Sequence, residues 1–129
     1  MTASFFEDTL QAELALIEAP FGPVKAEEAA NGNMRIGAVV RGLRVRLEVD
    51  PTEYPGQPPL LYVEQRGVVH PLRGEDGRIT ELRSLREWNR TLGLISVLQE
   101  LQLVFTDQPP LVRSHMVEWL HRLLARLRP

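Results

Sequence analysis

Two stretches of alternating apolar and polar residues, 34–40 and 43–49, constrain the fold of this chain more than any other feature of its sequence. Successive side chains of a β-strand point to opposite faces, so each stretch predicts a strand with one buried face. The short connection Arg41-Gly42 predicts that the strands form a hairpin. The apolar positions of this hairpin are Met34, Ile36, Ala38, Val40, Leu43, Val45, Leu47 and Val49. We therefore expect the core to lie on one face of an antiparallel sheet.

An amphipathic helix is predicted before the hairpin. Ser4 and Glu7 have the spacing of a capping box, which marks the start of a helix. Apolar residues then recur three and four positions apart, at Phe6, Leu10, Leu14 and Ile17. Because proline has no backbone N–H and disrupts a helix interior, the helix is expected to end before Pro20.

The remaining segments predict two more strands and two more helices. A weak first strand near 24–29 and a short strand at 60–63 would complete a four-stranded antiparallel meander. After a long loop, residues 92–105 are apolar on more than one face and predict a helix packed across the sheet, which Asp107-Gln108-Pro109-Pro110 ends. A last amphipathic helix is predicted from the spacing of Met116, Trp119, Leu120, Leu123 and Leu127. The predicted fold class is therefore α+β.

Composition limits the class of protein. A chain of 129 residues, 43% of them hydrophobic, fits a single domain over residues 1–129. A net charge of −2 gives no indication of nucleic-acid or membrane binding. The absence of cysteine excludes disulfides and thiolate nucleophiles and fits a reducing compartment, so a cytoplasmic location is expected. No signal peptide and no run of about 18 apolar residues is found, so membrane insertion is not expected.

Short motifs between residues 50 and 98 occur in a fixed order. His70 precedes Thr80 by ten positions, and Trp88 follows Thr80 by eight. The motif residues are Tyr54, Pro55, Pro58, Pro59, His70, Pro71 and Trp88. In this order and spacing the chain resembles the ubiquitin-conjugating (E2) domain. That family has a Tyr-Pro-x-x-Pro-Pro turn after its third strand, a His-Pro-Asn tripeptide ten positions before the active cysteine, and a tryptophan eight positions after it. The resemblance implies a UBC-like fold with an N-terminal helix, a four-stranded meander, a long loop and two helices.

Departures from the family pattern indicate a noncatalytic member. Thr80 occupies the position of the family cysteine, and a threonine hydroxyl is neither ionised at neutral pH nor a good acyl carrier. Leu72 occupies the position of the asparagine that stabilises the oxyanion, and leucine has no hydrogen-bond donor in its side chain. Gly56 and Arg90 depart from the residues that usually contact a ligase. The chain is thus more similar to the ubiquitin E2 variant subgroup, which lacks the active cysteine.

This resemblance implies a pseudoenzyme that binds a ubiquitin-like protein or an active E1- or E2-type enzyme, without a cofactor. One alternative is a sorting or scaffold adaptor on the same fold, holding Pro-rich peptides in a groove near Pro110, Leu111 and Val112. In that case the last helix, which endosomal-sorting members of the subgroup lack, would fill or cover the groove. An unrelated acidic chaperone is a further alternative, although it does not explain the motifs from Tyr54 to Trp88.

Other residues with chemical potential are interpreted as structural. His70 is expected to hydrogen-bond to backbone, and Trp88 to pack as an anchor. Glu75-Asp76 is expected to make a turn before Gly77. His115 and His121 are six residues apart, which places them on different faces of a helix, so no metal site is predicted. The C-terminal arginines belong to no recognised base-reading module, so no nucleic-acid binding is predicted.

Overall fold

The fold combines helices with two antiparallel sheets, in a computed structural model that describes residues 2–112, 120 and 122–127. The elements in chain order are α1 (Thr2–Phe21), β1 (Lys25–Glu28), β2 (Met34–Val40), β3 (Leu43–Val49), β4 (Leu60–Val63), β5 (Val68–Val69), β6 (Arg78–Ile79), α2 (Arg83–Arg86), α3 (Gly93–Asp107) and β7 (Leu111–Val112). The larger sheet has the strand order β1-β2-β3-β4-β6, and β5 pairs with β7. The predicted α+β class is confirmed.

The β2–β3 hairpin has the predicted register. Met34 lies opposite Val49, and Val40 lies opposite Leu43. The two connecting residues both have positive φ angles, 53° at Arg41 and 79° at Gly42. Positive φ at both central positions produces a turn whose twist matches the right-handed twist of the strands. The alternation therefore places the apolar residues of both strands on one face, as predicted.

The core lies between that face of the sheet and the helices α1 and α3. All four apolar residues predicted for the first helix are buried, and so are five residues of α3. The buried residues of α3 are Leu94, Val97, Leu98, Leu101 and Phe105. Burial of these nine apolar side chains against the sheet is a large contribution to the stability of a domain of this size.

Both predicted ends of the first helix are wrong. The helix begins at Thr2, so Ser4 lies within the first turn and not at the capping position. It also continues through Pro20 to Phe21. Proline removes only its own N–H from the helical hydrogen bonds, and the last turn is still closed by the Gly22 N–H, which donates to the Glu18 carbonyl at 2.9 Å. Proline in the final turn therefore does not end this helix.

The predicted meander β1–β4 is confirmed, but the predicted long loop contains further structure. Leu61 of β4 lies opposite Ile79, so β6 extends the sheet by a fifth strand. The helix α2 and the strand β5 lie in the same segment. The two-residue strands β5 and β6 and the single turn α2 are too short to show a hydrophobic period, so the sequence pattern does not predict them.

The C-terminal segment is described in part. Residues 120 and 122–127 are helical, in agreement with the predicted last helix. Its four leucines in this range are exposed to solvent. They are Leu120, Leu123, Leu124 and Leu127. Met116 and Trp119 of the predicted helix lie outside the described residues, as do His115 and His121.

Candidate functional site

The motif residues Tyr54, Pro55 and Trp88 meet in one cluster. The Tyr54 side chain is buried, and its ring centroid lies 5.9 Å from that of Trp88. The Trp88 indole Nε1–H donates to the Pro55 carbonyl at 2.9 Å, and the Tyr54–Pro55 peptide bond is cis. Trp88 therefore fixes the proline-rich loop to the segment that leads into α3. This is the anchoring role that the sequence analysis predicts for it.

Glu13 of α1 joins this cluster to the start of α3. The Tyr54 hydroxyl lies 2.6 and 2.7 Å from the two Glu13 carboxylate oxygens, and the Leu94 backbone N–H donates to Oε1 at 2.6 Å. The residue at the N-cap of α3 is Leu92, which has no side-chain oxygen, so Glu13 supplies the cap from another helix. Burial, together with the Glu13 carboxylate, raises the pKa of the Tyr54 phenol above its usual value.

A second carboxylate caps α2 in the same way. Glu100 of α3 accepts hydrogen bonds from the backbone N–H groups of Arg83 and Ser84, each at 2.7 Å. Burial alone would raise the Glu100 pKa, but these hydrogen bonds from Ser84 and Arg83 lower it overall. Sequence reasoning missed both Glu13 and Glu100, because neither lies at the spacing of a local cap.

His70 is buried, and backbone groups occupy both nitrogens of its ring. Nδ1 accepts a hydrogen bond from the Leu72 N–H at 3.1 Å. Nε2 lies 3.0 Å from the Gln108 carbonyl oxygen, which can only accept, so Nε2 is the donor of this hydrogen bond. The ring also packs against Phe105, with centroids 5.1 Å apart. These are the backbone bonds predicted for His70, and they leave no ring nitrogen for proton transfer.

Thr80 lies exposed directly after β6. Its hydroxyl donates to the Glu81 carboxylate at 3.3 Å, and Glu81 also lies 3.6 Å from the Arg86 guanidinium. Leu72 is half-buried and packs against the core. The positions that match the family cysteine and asparagine thus hold a surface alcohol and a packed aliphatic side chain. The Leu72 side chain has no hydrogen-bond donor with which to stabilise an oxyanion.

Thr80→Ala is expected to change the free energy of unfolding by no more than a few tenths of a kcal/mol, since the side chain is exposed and its hydrogen bond is a surface one. Urea denaturation followed by circular dichroism measures this. Ile79→Ala is the matched control at the adjacent buried position and should cost about 2–5 kcal/mol. A cost of several kcal/mol for Thr80→Ala would show that Thr80 has a structural role.

The other two departures from the family pattern are neighbours in space. A Cβ atom on Gly56 would lie 3.7 Å from Nη2 of Arg90 and 3.1 Å from the Glu53 carbonyl oxygen. A glycine and an arginine side chain therefore form this part of the loop surface. The Glu75-Asp76 turn is also present, with the Gly77 N–H donating to the Gly74 carbonyl at 3.0 Å.

The outer face of the larger sheet carries a row of basic and aromatic residues. Arg46 lies opposite Tyr62, and Tyr62 lies opposite Arg78. The Arg46 guanidinium stacks over the Tyr62 ring, with its carbon 4.3 Å from the ring centroid. The alternation of β3 places Arg46 on the polar side of a predicted strand, but the row itself was not predicted from the sequence.

Glu48 organises the neighbouring part of this face. Its carboxylate accepts hydrogen bonds from Asn33 Nδ2 at 3.0 Å and from Arg35 Nε at 3.2 Å. The bond from Asn33 is the largest influence on the Glu48 pKa, which is lowered overall with help from Arg35 although burial opposes it. The folded chain therefore holds this proton less tightly than the unfolded chain, and Glu48 stabilises the fold once it is ionised.

Glu48→Gln is expected to alter the acid dependence of stability. The stabilisation from the Glu48 charge is fully present above its usual pKa of 4.5 and is lost as the pH falls toward the lower folded-state value. The difference in unfolding free energy between wild type and variant should thus be constant near neutral pH and shrink in acid. Urea midpoints measured across that range test this, and a constant difference at every pH would contradict it.

The predicted peptide groove falls on the second sheet. Pro110 directly precedes β7, in which Leu111 lies opposite Val69 of β5. Both side chains are exposed, Leu111 by 56% and Val69 by 42%. The structure thus brings an apolar pair to the surface at this position, while the existence of a groove there stays a prediction.

None of the helices in the described part of the chain combines the length and hydrophobicity needed to cross a membrane. Nor do the described residues include a group of three or more His, Asp or Glu side chains able to hold a metal ion. A scan against protein-family models found no match to this chain, and a search of curated proteins found no match either.

Proposed function

We propose that this chain is a noncatalytic, UBC-like binding module that recognises a ubiquitin-like protein or an active partner enzyme. The observation that carries the proposal is the state of the Thr80 region. Thr80 is a surface alcohol hydrogen-bonded to Glu81, whose carboxylate also lies beside Arg86, and both nitrogens of His70 are bonded to backbone. The residues that resemble E2 motifs therefore serve to hold loops and helices in place, and acyl transfer has no nucleophile there.

The geometry of the other motif residues supports a UBC-like fold. The loop that contains Tyr54 and Pro55 follows the third strand, as in the family that the chain resembles. Both residues contact Trp88, which is distant from them in the sequence. Pro55 and Trp88 are 33 positions apart in the sequence and in direct contact in the structure. This contact is a structural reason for both residues to be present in the chain. Such contacts depend on packing and not on catalysis, so they are retained when the nucleophile is absent.

The partner's docking surface in this proposal is the row Arg46, Tyr62 and Arg78 on the outer face of the sheet. Arginine and tyrosine are enriched at the centres of protein interfaces because they combine a large contact area with directional hydrogen bonds. Stacking on Tyr62 holds the Arg46 guanidinium in place before a partner arrives, which lowers the entropy lost on binding. A partner with an acidic surface suits this row.

The test is a titration of the isotope-labelled chain with ubiquitin, ubiquitin-like proteins and E2 enzymes, followed by NMR. A partner that binds should perturb the amides of Arg46, Tyr62 and Arg78. Tyr62→Ala and Arg78→Glu should each weaken binding by about tenfold or more. Arg86→Glu, which reverses an exposed arginine on α2, is the matched control and should leave affinity unchanged. Absence of binding to every protein in the panel would overturn the proposal.

The proposal that the chain is noncatalytic is tested in a separate experiment. Wild-type chain is incubated with an E1 enzyme, ATP and the ubiquitin-like protein that binds it, and covalent adducts are sought by mass spectrometry. No adduct at Thr80 is expected. An ester at Thr80 that Thr80→Ala removes would show that the chain is an enzyme.

A second candidate function is a peptide-binding adaptor, which the exposed pair Val69 and Leu111 favours. Apolar side chains at the surface of a two-stranded ribbon offer a site for the rings of a Pro-rich peptide. Fluorescence anisotropy with a labelled proline-rich peptide tests it. Leu111→Asp should abolish binding, and Leu103→Asp on the exposed face of α3 serves as the control. Equal binding by both variants would exclude this site.

A further inference from the structure

The edge of the larger sheet at β1 lies beside a groove that the functions proposed above do not use. The groove has a volume of about 400 Å³ and lies between the first turns of α1 and the β1–β2 hairpin. Its apolar lining comes from Phe6, Leu10, Leu14 and Met34. Its two charged lining residues among those described are Glu7 of α1 and Glu28 of β1. The groove is therefore apolar at its base and acidic at its rim.

The backbone of β1 is available for pairing on the side that faces away from β2. Among the described residues, β1 is the edge strand of its sheet and all four of its residues are exposed. The Ala29 N–H donates to the Asn33 carbonyl at 2.7 Å, so residue 29 faces β2. Backbone groups alternate in direction along a strand, which makes 25 and 27 face β2 as well. The N–H and C=O groups of Ala26 and Glu28 therefore point off the sheet edge.

We infer that this edge and groove bind an extended peptide segment that carries apolar side chains at alternate positions and a Lys or Arg at the groove-facing position next to Glu28. The segment adds a strand to the sheet and pairs with the backbone of Ala26 and Glu28. The side chains of Ala26 and Glu28 lie on the groove side, since Ala26 is opposite the buried Ile36. Alternate side chains of the added strand therefore face the groove, and a cationic side chain among these meets Glu28 and Glu7 at the rim.

The charges on β1 decide which partner is accepted. Exposed charged residues on an edge strand discourage unspecific pairing, because an apolar strand would leave them without compensation. Glu28 makes this barrier selective for a cationic segment. A second copy of the chain fits poorly, since it would bring its own Glu27 and Glu28 to the same edge. This inference does not depend on the E2 resemblance, because none of the motif residues lines the groove.

The test uses two synthetic peptides of alternating valine and serine, in which one valine is replaced by arginine in the first peptide and by glutamate in the second. The charge then lies on the same face of the added strand as the remaining valines. The arginine peptide should bind, and the glutamate peptide should not bind at the same concentration. In amide hydrogen exchange measured by NMR, binding should slow exchange at Ala26 and Glu28 by about tenfold or more, since these N–H groups become hydrogen-bonded. Exchange at Glu27, whose N–H already faces β2, should change much less.

Three variants make the test specific. Ala26→Pro removes an N–H that the sheet does not use, so it should weaken peptide binding by about tenfold or more while the melting temperature stays close to that of wild type. Ala26→Ser keeps the N–H and should bind as wild type does. Glu28→Lys should reverse the preference between the two peptides. This variant keeps the proposal testable if Ala26→Pro does not fold.

Three results would overturn the proposal. Binding of the arginine peptide that Ala26→Pro and Glu28→Lys leave unchanged would place the peptide elsewhere. Equal binding of both peptides, or of neither, would remove the charge selectivity on which the inference rests. Protection of Ala26 and Glu28 in the free chain, rising with protein concentration, would assign the edge to a second copy.

Discussion

Leu98→Ala is expected to lower the free energy of unfolding by about 2–5 kcal/mol. Leu98 is 0% exposed and lies in the middle of α3, on the side that faces the core. Truncation to alanine removes the transfer free energy of the buried methyl groups and leaves a cavity that the surrounding helices and sheet cannot fully close. Urea denaturation at neutral pH gives the difference directly.

Leu103→Ala is the matched control for this experiment. It makes the same chemical change in the same helix at a residue that is 70% exposed. Leucine and alanine have similar helix propensities, so the expected change is within about 0.5 kcal/mol. A small effect at both positions would mean that α3 does not cover the sheet. A large effect at Leu103 would mean that this side chain is buried in an interface with another chain.

The core could be predicted from the sequence because it obeys simple periods. The alternation around Arg41-Gly42 and the spacing of Phe6 to Ile17 each extend over several repeats, and a pattern of that length has one structural solution. The backbone hydrogen bonds of His70 were also predictable, because His70-Pro71 belongs to a motif whose residues were interpreted as structural. These predictions share a basis in local sequence or in a motif with known spacing.

The contacts that fix the candidate site were not predictable in this way. Glu13 caps α3 across 81 positions of sequence, and Glu100 caps α2 from 16 or 17 positions away. Capping rules concern residues within one turn of a helix end. The N-cap residues of α2 and α3 are Leu82 and Leu92, and leucine has no side-chain oxygen that would predict a cap. The row from Arg46 to Arg78 likewise depends on β6, whose two residues have no detectable period.

Glu13→Ala is expected to cost about 2–4 kcal/mol, because charge-assisted hydrogen bonds contribute about 1.5–3 kcal/mol and a lost helix cap about 0.5–2 kcal/mol. The variant leaves the buried Tyr54 hydroxyl and the Leu94 N–H without this acceptor. Glu18→Ala removes an exposed carboxylate from the same helix and should change stability by no more than about 0.5 kcal/mol. Equal effects of the two variants in urea denaturation would show that the Glu13 cap contributes nothing.

A double-mutant cycle separates the hydrogen bond between Glu13 and Tyr54 from the capping of α3 by Glu13. Tyr54→Phe should be destabilising in wild type and much less so in the Glu13→Ala background, with a coupling of about 1–2 kcal/mol if the hydroxyl and carboxylate interact directly. Alkaline pH gives an independent readout. The folded-state pKa of Tyr54 is raised above its usual 10.0, so the unfolded chain releases this proton first and stability should fall as the pH rises past that value. Tyr54→Phe should lose this part of the alkaline dependence. If it does not, Tyr54 is not held neutral beside Glu13, and the link between α1, the proline-rich loop and α3 is weaker than the hydrogen bonds indicate.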